Sequence, residues 1–198
     1  MASVKRIGCW RIAWMNSGEF LLTIIAIMPA TAARRIAVRV HRCLQCAVKH
    51  RWLRLTWRLV TCWCLMVLVH EAGHIAAGWL GGGSLQHADL RPWGLPQSHF
   101  QPDPRPLLTL WGGPLLGAGL PLVVAIIVGR DLAWFVAHFC LLANGVYLAL
   151  GWLSGAPWLD TPRLLAAGAS PGLILLYCVV TISLGYPGFR RACMKVLS

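Results

Sequence analysis

The stretch Val60–Leu80, VTCWCLMVLVHEAGHIAAGWL, decides how the rest of the chain is read. It holds one of only two glutamates in the protein, and apart from two cysteine thiols its ionisable side chains are His70, Glu71 and His74. With Trp57 as its start the apolar run has 24 residues, and about 20 suffice for a helix to span a bilayer. On a helix, residues four apart share a face, so both imidazoles can reach one divalent ion at about 2.0–2.1 Å. Glu71 then lies beside the open coordination position, where it can take a proton from water and hand it to a leaving amine. Chance would produce HExxH roughly 0.002 times in a chain with this His and Glu content. A charge at the centre of a membrane helix costs about 2.5–3.5 kcal/mol on insertion scales, so such a cluster reads as a functional site. The competing reading is a polar knot that bonds helices together.

Composition agrees with a membrane setting. The chain has 198 residues, 58% hydrophobic and 12% charged, whereas a soluble domain has about 25% charged residues. Three more apolar stretches follow: Leu107–Val128, Leu132–Leu153 and Leu164–Tyr186. Trp57 and Trp79 flank the first stretch and Trp134 and Trp152 the third, as amphipathic rings at two headgroup levels would. The expected fold is an all-α polytopic membrane protein with about four transmembrane helices and room for a fifth at the N terminus. Gly81–Pro106 is too rich in Gly and Pro for a long helix, and Ser84–Leu90 alternates like a strand. A short β-like loop is therefore expected after the HExxH helix.

Four parts follow from this pass. Residues 1–33 read as a cleaved signal or a short anchor, because the apolar run Phe20–Met28 precedes Ala30-Thr31-Ala32. Residues 34–56 form a basic amphipathic segment suited to a bilayer surface. Residues 57–186 are the membrane-embedded core, and 187–198 a basic tail. The net charge of +12 is read as topology-setting loop charge that meets anionic lipid, not as a nucleic-acid surface. Of eight Cys, Cys43 and Cys46 form a CxxC between His41 and His50 that can hold zinc. No second CxxC follows, and a basic helix with incidental thiols is the favoured reading.

Zn²⁺ needs a third protein ligand, and His87, His99, His138 and Asp160 are the candidates. Asp160 stands out, since Pro157 and Pro162 break helix on either side and can present a carboxylate in a polar cavity. Its rival role is an N-cap for the next helix. His138 reads as a helix contact, and His87 and His99 as exposed loop residues.

These features together resemble the site-2 proteases, intramembrane zinc metalloproteases. His70–His74 is similar to the family's HExxH helix, and Gly81–Leu95 to its β-rich loop. Gly112-Gly113-Pro114-Leu115 is similar to its small-Gly-Pro element, and Leu159–Leu164 to its LDG motif. The resemblance implies zinc held by His70, His74 and Asp160, with Glu71 as general base. It implies hydrolysis of peptide bonds in or near transmembrane helices of membrane-protein substrates, with the lipid bilayer as the other partner and the cytoplasmic membrane of a bacterium as the place. Three positions depart from the pattern. Thr161 replaces the LDG glycine, Gly117 an Asn that often closes the Gly-Pro element, and Trp152 an Asn about eight residues before the Asp. Asn144 can substitute as an oxyanion or ligand-supporting group, or simply pack helices. The departures keep open an inactive relative that binds membrane helices, and the His and Cys content a metal-handling membrane protein. Loop charge places residues 34–58 in the cytoplasm with Arg130, Arg190, Arg191 and Lys195, whereas the resemblance implies the reverse orientation.

Overall fold

The computed structural model describes residues 30–94 and 96–198. Most of the expected N-terminal signal or anchor, residues 1–29, lies outside the described residues. The element order is α1 (Ala30–Leu80), β1 (Leu85–Asp89), β2 (Gln97–Phe100), α2 (Pro106–Val128), α3 (Asp131–Ser154), α4 (Asp160–Ala166) and α5 (Pro171–Leu197). The fold is all-α apart from this small two-stranded sheet. Four helices are long and apolar enough to cross a membrane: Val48–Leu80 within α1, then α2, α3 and α5. They fit a multi-pass membrane protein.

Residues up to His50 and Arg51–Ser198 form separate units. The described part of the first is helical, with Arg34, Arg39 and Lys49 exposed. No Gly or Pro occurs between Ala30 and Ala72, so nothing breaks α1. The expected division between residues 34–56 and the core at 57 therefore falls inside one helix.

In the second unit α1 ends where Gly81-Gly82-Gly83 begins. Gly82 has φ of 84°, which a side chain would resist. Its N–H bonds the Trp79 carbonyl at 3.0 Å and that of Gly83 bonds the Gly78 carbonyl at 2.8 Å. This pair of bonds satisfies the last helical carbonyls. The chain then forms the expected strand, β1, which pairs antiparallel with β2 so that His87 faces His99. In the loop beyond β1, the exposed Arg91 guanidinium hydrogen-bonds the largely covered carboxylate of Asp89, the last residue of β1, and holds its pKa down at about 2.

The fourth apolar stretch differs from expectation. Leu164–Tyr186 is not one helix: α4 ends at Ala166 and the span begins at Pro171. Gly168 has φ of 90°, and a residue before proline disfavours helical backbone, so Ser170 stops any continuation. Hydropathy alone does not register either break. The span runs on to Leu197, so the basic tail is helical.

α3 lies at the heart of the bundle. Cys140 packs with Met66 and Val67 of α1, Phe135 with Leu55 and Cys62 of α1 and with Phe189 of α5, and Leu148 with Leu110, Leu164 and Ile174. Polarity is inverted relative to a water-soluble protein. Leu153 is 84% exposed, while Asn144 is 0% exposed and Asp160 5%. Apolar groups face outward and polar ones inward, as a lipid surround requires.

Candidate metal centre

α1 carries the HExxH turn against α2 through glycine. A Cβ on Gly73 would strike the carbonyl of Gly112, and one on Gly113 would fall on the His74 ring. The Gly112-Gly113-Pro114 element thus leaves a slot into which the second imidazole fits.

Three ligand atoms meet there. His70 Nε2 lies 2.9 Å from Asp160 Oδ2, His74 Nε2 lies 3.2 Å from the same oxygen, and the two Nε2 atoms are 3.1 Å apart. Each ring is oriented through its other nitrogen. His70 Nδ1–H donates to Asn144 Oδ1 at 2.7 Å, and His74 Nδ1–H donates to the Thr109 carbonyl at 2.8 Å. With Nδ1 protonated, a neutral ring offers a lone pair at Nε2. Two lone pairs and a carboxylate oxygen therefore converge, an arrangement that repels itself without a cation among them. Tetrahedral zinc with bonds of about 2.0–2.1 Å sets ligand atoms about 3.3 Å apart. The observed triangle agrees within a few tenths of an ångström. Two imidazoles and a carboxylate are also a donor set that suits this ion.

Glu71 takes a different place. Its ligand atom lies within 4.8 Å of those of both histidines, looser than the Asp160 contacts. Its Oε2 accepts a hydrogen bond of 2.8 Å from Ser98 Oγ on β2. Among the described residues, the other oxygen accepts none. Glu71 also lines a cavity of about 80 Å³ with Trp63, Met66, Val67, Pro96 and Tyr147. The loop that bounds it is tied to α1 by Trp63 Nε1 donating to the Pro92 carbonyl at 2.9 Å.

Asp160 is the first residue of α4, with Leu159 at the N-cap position. Its carboxylate faces the imidazoles and caps nothing. Thr161, the departure from the LDG pattern, donates its hydroxyl to the Leu148 carbonyl at 2.7 Å and docks α4 on α3. Gly117, another departure, lies against Asn144: a Cβ there would come 2.7 Å from the amide oxygen. The asparagine reaches His70 from α3 across the space that Gly117 leaves. One hydrogen of its Nδ2 goes to the Cys140 carbonyl at 2.8 Å, while its Oδ1 orients the His70 ring.

The structure thus brings His70, Glu71, His74, Asp160 and Asn144 together. His87 and His99 are exposed on the hairpin, as expected, and His138 lies at the other end of the bundle. Sequence reading missed Ser98, Thr161 and the Thr109 carbonyl as parts of the centre. A serine in an irregular loop carries no pattern that points to a carboxylate 27 residues away. No protein-family model, curated protein or solved structure matches the chain.

Proposed function

We propose that this chain is an intramembrane zinc metalloendopeptidase that hydrolyses peptide bonds in or near transmembrane helices, in the cytoplasmic membrane of a bacterium. The observation that carries the reading is the convergence of His70 Nε2, His74 Nε2 and Asp160 Oδ2, each ring locked by a partner on its far nitrogen. His70, His74 and Asp160 would hold the Zn²⁺, which when bound would supply Lewis-acid polarisation of a carbonyl and a water nucleophile at neutral pH. Glu71 accepts the proton of the attacking water and delivers it to the leaving amine. Ser98 fixes the carboxylate by one oxygen and leaves the other for proton transfer. The small apolar cavity beside Glu71, about 80 Å³, suits one small side chain of a locally unwound hydrophobic segment. The bacterial setting rests on the family resemblance.

The departures that favour an inactive relative have structural roles: Thr161 anchors the helix that presents Asp160, and Gly117 makes room for Asn144. A metal-handling protein should hold several ions, yet the described residues contain one buried His and carboxylate cluster.

The test uses the full chain in bilayer nanodiscs with a transmembrane-helix reporter substrate. Wild type should contain about one zinc per chain. Glu71→Gln should keep the zinc and lose cleavage by at least about 10³-fold, more than the 10²–10⁴-fold range's lower bound for general acid–base catalysis. Asp160→Ala should lose both. Cleavage that survives Glu71→Gln, or zinc that survives Asp160→Ala, overturns the reading.

A further inference from the structure

The opposite end of the bundle holds a cavity of about 670 Å³ between α1, the start of α3 and the end of α5. Five cationic side chains line it, Arg51, Arg54, Arg58, Arg191 and Lys195, against one carboxylate side chain, Asp131. The three arginines of α1 recur at helical spacing on one face, as do Arg191 and Lys195 on α5. Local partners absorb little of this charge. Lys195 Nζ reaches Asp131 at 3.3 Å, Arg51 Nη1 donates to the Leu197 carbonyl at 2.9 Å, and Arg58 lies 5.9 Å from the centre of the Phe135 ring. Among the described residues, Arg54, Arg58 and Arg191 meet no carboxylate within 4.0 Å. The positive surplus survives even a carboxylate at Ser198, which also lines the cavity. A concave surface of one sign focuses potential and concentrates anions.

His138 lines this cavity with Trp134, its ring packed against Gly188. The volume lies in the range of about 300–1,000 Å³ usual for small-molecule sites. Trp52 and Trp57, both exposed, lie on the same stretch of α1, as indoles do at headgroup level. Arg54 is roughly 24 Å along the helix from His70 at 1.5 Å per residue.

We propose that this cavity is a phosphate-binding site, one that takes the phosphate of an anionic phospholipid headgroup or free phosphate. It is independent of the metal centre. Arginine forks from two helices grip the phosphate oxygens. Occupancy would pin the ends of α1, α3 and α5 to one another, because each contributes to the lining.

The test is native mass spectrometry and thermal unfolding of the full chain with three probes: phosphatidylglycerol vesicles, phosphatidylcholine vesicles and inorganic phosphate alone. R54Q/R58Q/R191Q is compared with R91Q/R105Q/R163Q, which removes equal charge from positions outside both the cavity and the basic segment 34–56. One phosphatidylglycerol should stay bound per wild-type chain. Its affinity should fall at least tenfold in the cavity variant and stay within twofold in the control. If inorganic phosphate alone protects wild type and not the cavity variant, free phosphate is the source. If the cavity variant does not fold, R54Q/R191Q, at two exposed positions, takes its place. The proposal is overturned if the cavity variant and the control lose affinity equally, or if neither phosphatidylglycerol nor inorganic phosphate prefers wild type to the cavity variant.

Discussion

The two ends of the bundle treat charge in opposite ways. At the metal end, Asp160, His70 and His74 are each about 5% exposed, and the Nδ1 of each imidazole has a protein partner. At the other end, cations face a cavity with one acidic side chain. The difference follows from what each end can borrow from its surroundings. Deep in the apolar span no water or headgroup is available, so every polar atom must be satisfied by protein or by a bound ion. Near the span's end the protein can leave charge open for anions to complete.

Breaking completeness at the metal end should have the largest effect. Asn144→Leu removes the acceptor for His70 Nδ1–H and leaves a donor buried in an apolar setting, which costs about 1–3 kcal/mol. Loss of such a supporting partner weakens metal affinity or activity by about 10–100-fold. The expected outcome is zinc that dissociates at chelator concentrations wild type withstands, with cleavage reduced in proportion. Asn144→Asp retains an acceptor and should recover most of the affinity. Equal zinc retention in Asn144→Leu and wild type, read by metal analysis after dialysis, would show that the far-nitrogen bond does not hold the ring.

Ser98→Ala probes the same completeness one step further out. It frees Glu71 without touching the zinc ligands, so zinc content should stay near one per chain. Cleavage should fall by about tenfold, a loss of roughly 1.4 kcal/mol, in line with a hydrogen bond to a charged group. Ser98→Thr keeps the hydroxyl and should retain most activity. Reduced zinc in Ser98→Ala would instead mean that the hairpin stabilises the whole centre.

How far these features are legible in the sequence depends on the distance over which each signal acts. His70, Glu71 and His74 are legible because helical spacing alone sets their shared face. Asp160 is legible through the flanking prolines. Asn144 was ambiguous, since a lone amide in an apolar helix reads equally as packing, and only the neighbouring space at Gly117 decides. Thr161 reads as a defect in a motif until its hydroxyl is seen on the Leu148 carbonyl. The four spans are visible as hydropathy, but the start of the fourth is not, because backbone geometry at Gly168 and Pro171 sets it. The basic cavity is invisible in one dimension: its charges come from segments about 75 and 60 residues apart, and charge counting reads them as topology signals.

An ion pair outside the spans, with its arginine open to solvent, supplies the reference point for both ends. Arg91, in the loop after β1, forms a forked pair with Asp89 at the strand's end, and because the guanidinium is open to solvent the charges are screened and the pair contributes little. Its effect is nevertheless readable through pH. The Asp89 pKa is lowered from 3.8 to about 2 by hydrogen bonds from Arg91. A depressed carboxylate pKa adds stability above the unfolded-state value and loses it as pH falls through the folded-state value. The pair should thus protect the turn after β1 fully above about pH 4 and no longer below about pH 2. Hydrogen exchange of amides in residues 85–94, corrected for intrinsic rates, should show wild type slower than Asp89→Asn by less than about threefold at pH 6, with the two converging toward pH 2. A larger gap at pH 6 would mean that even a solvent-screened pair holds the hairpin, and the contrast drawn between dry and open ends would then rest on something other than access to solvent and anions.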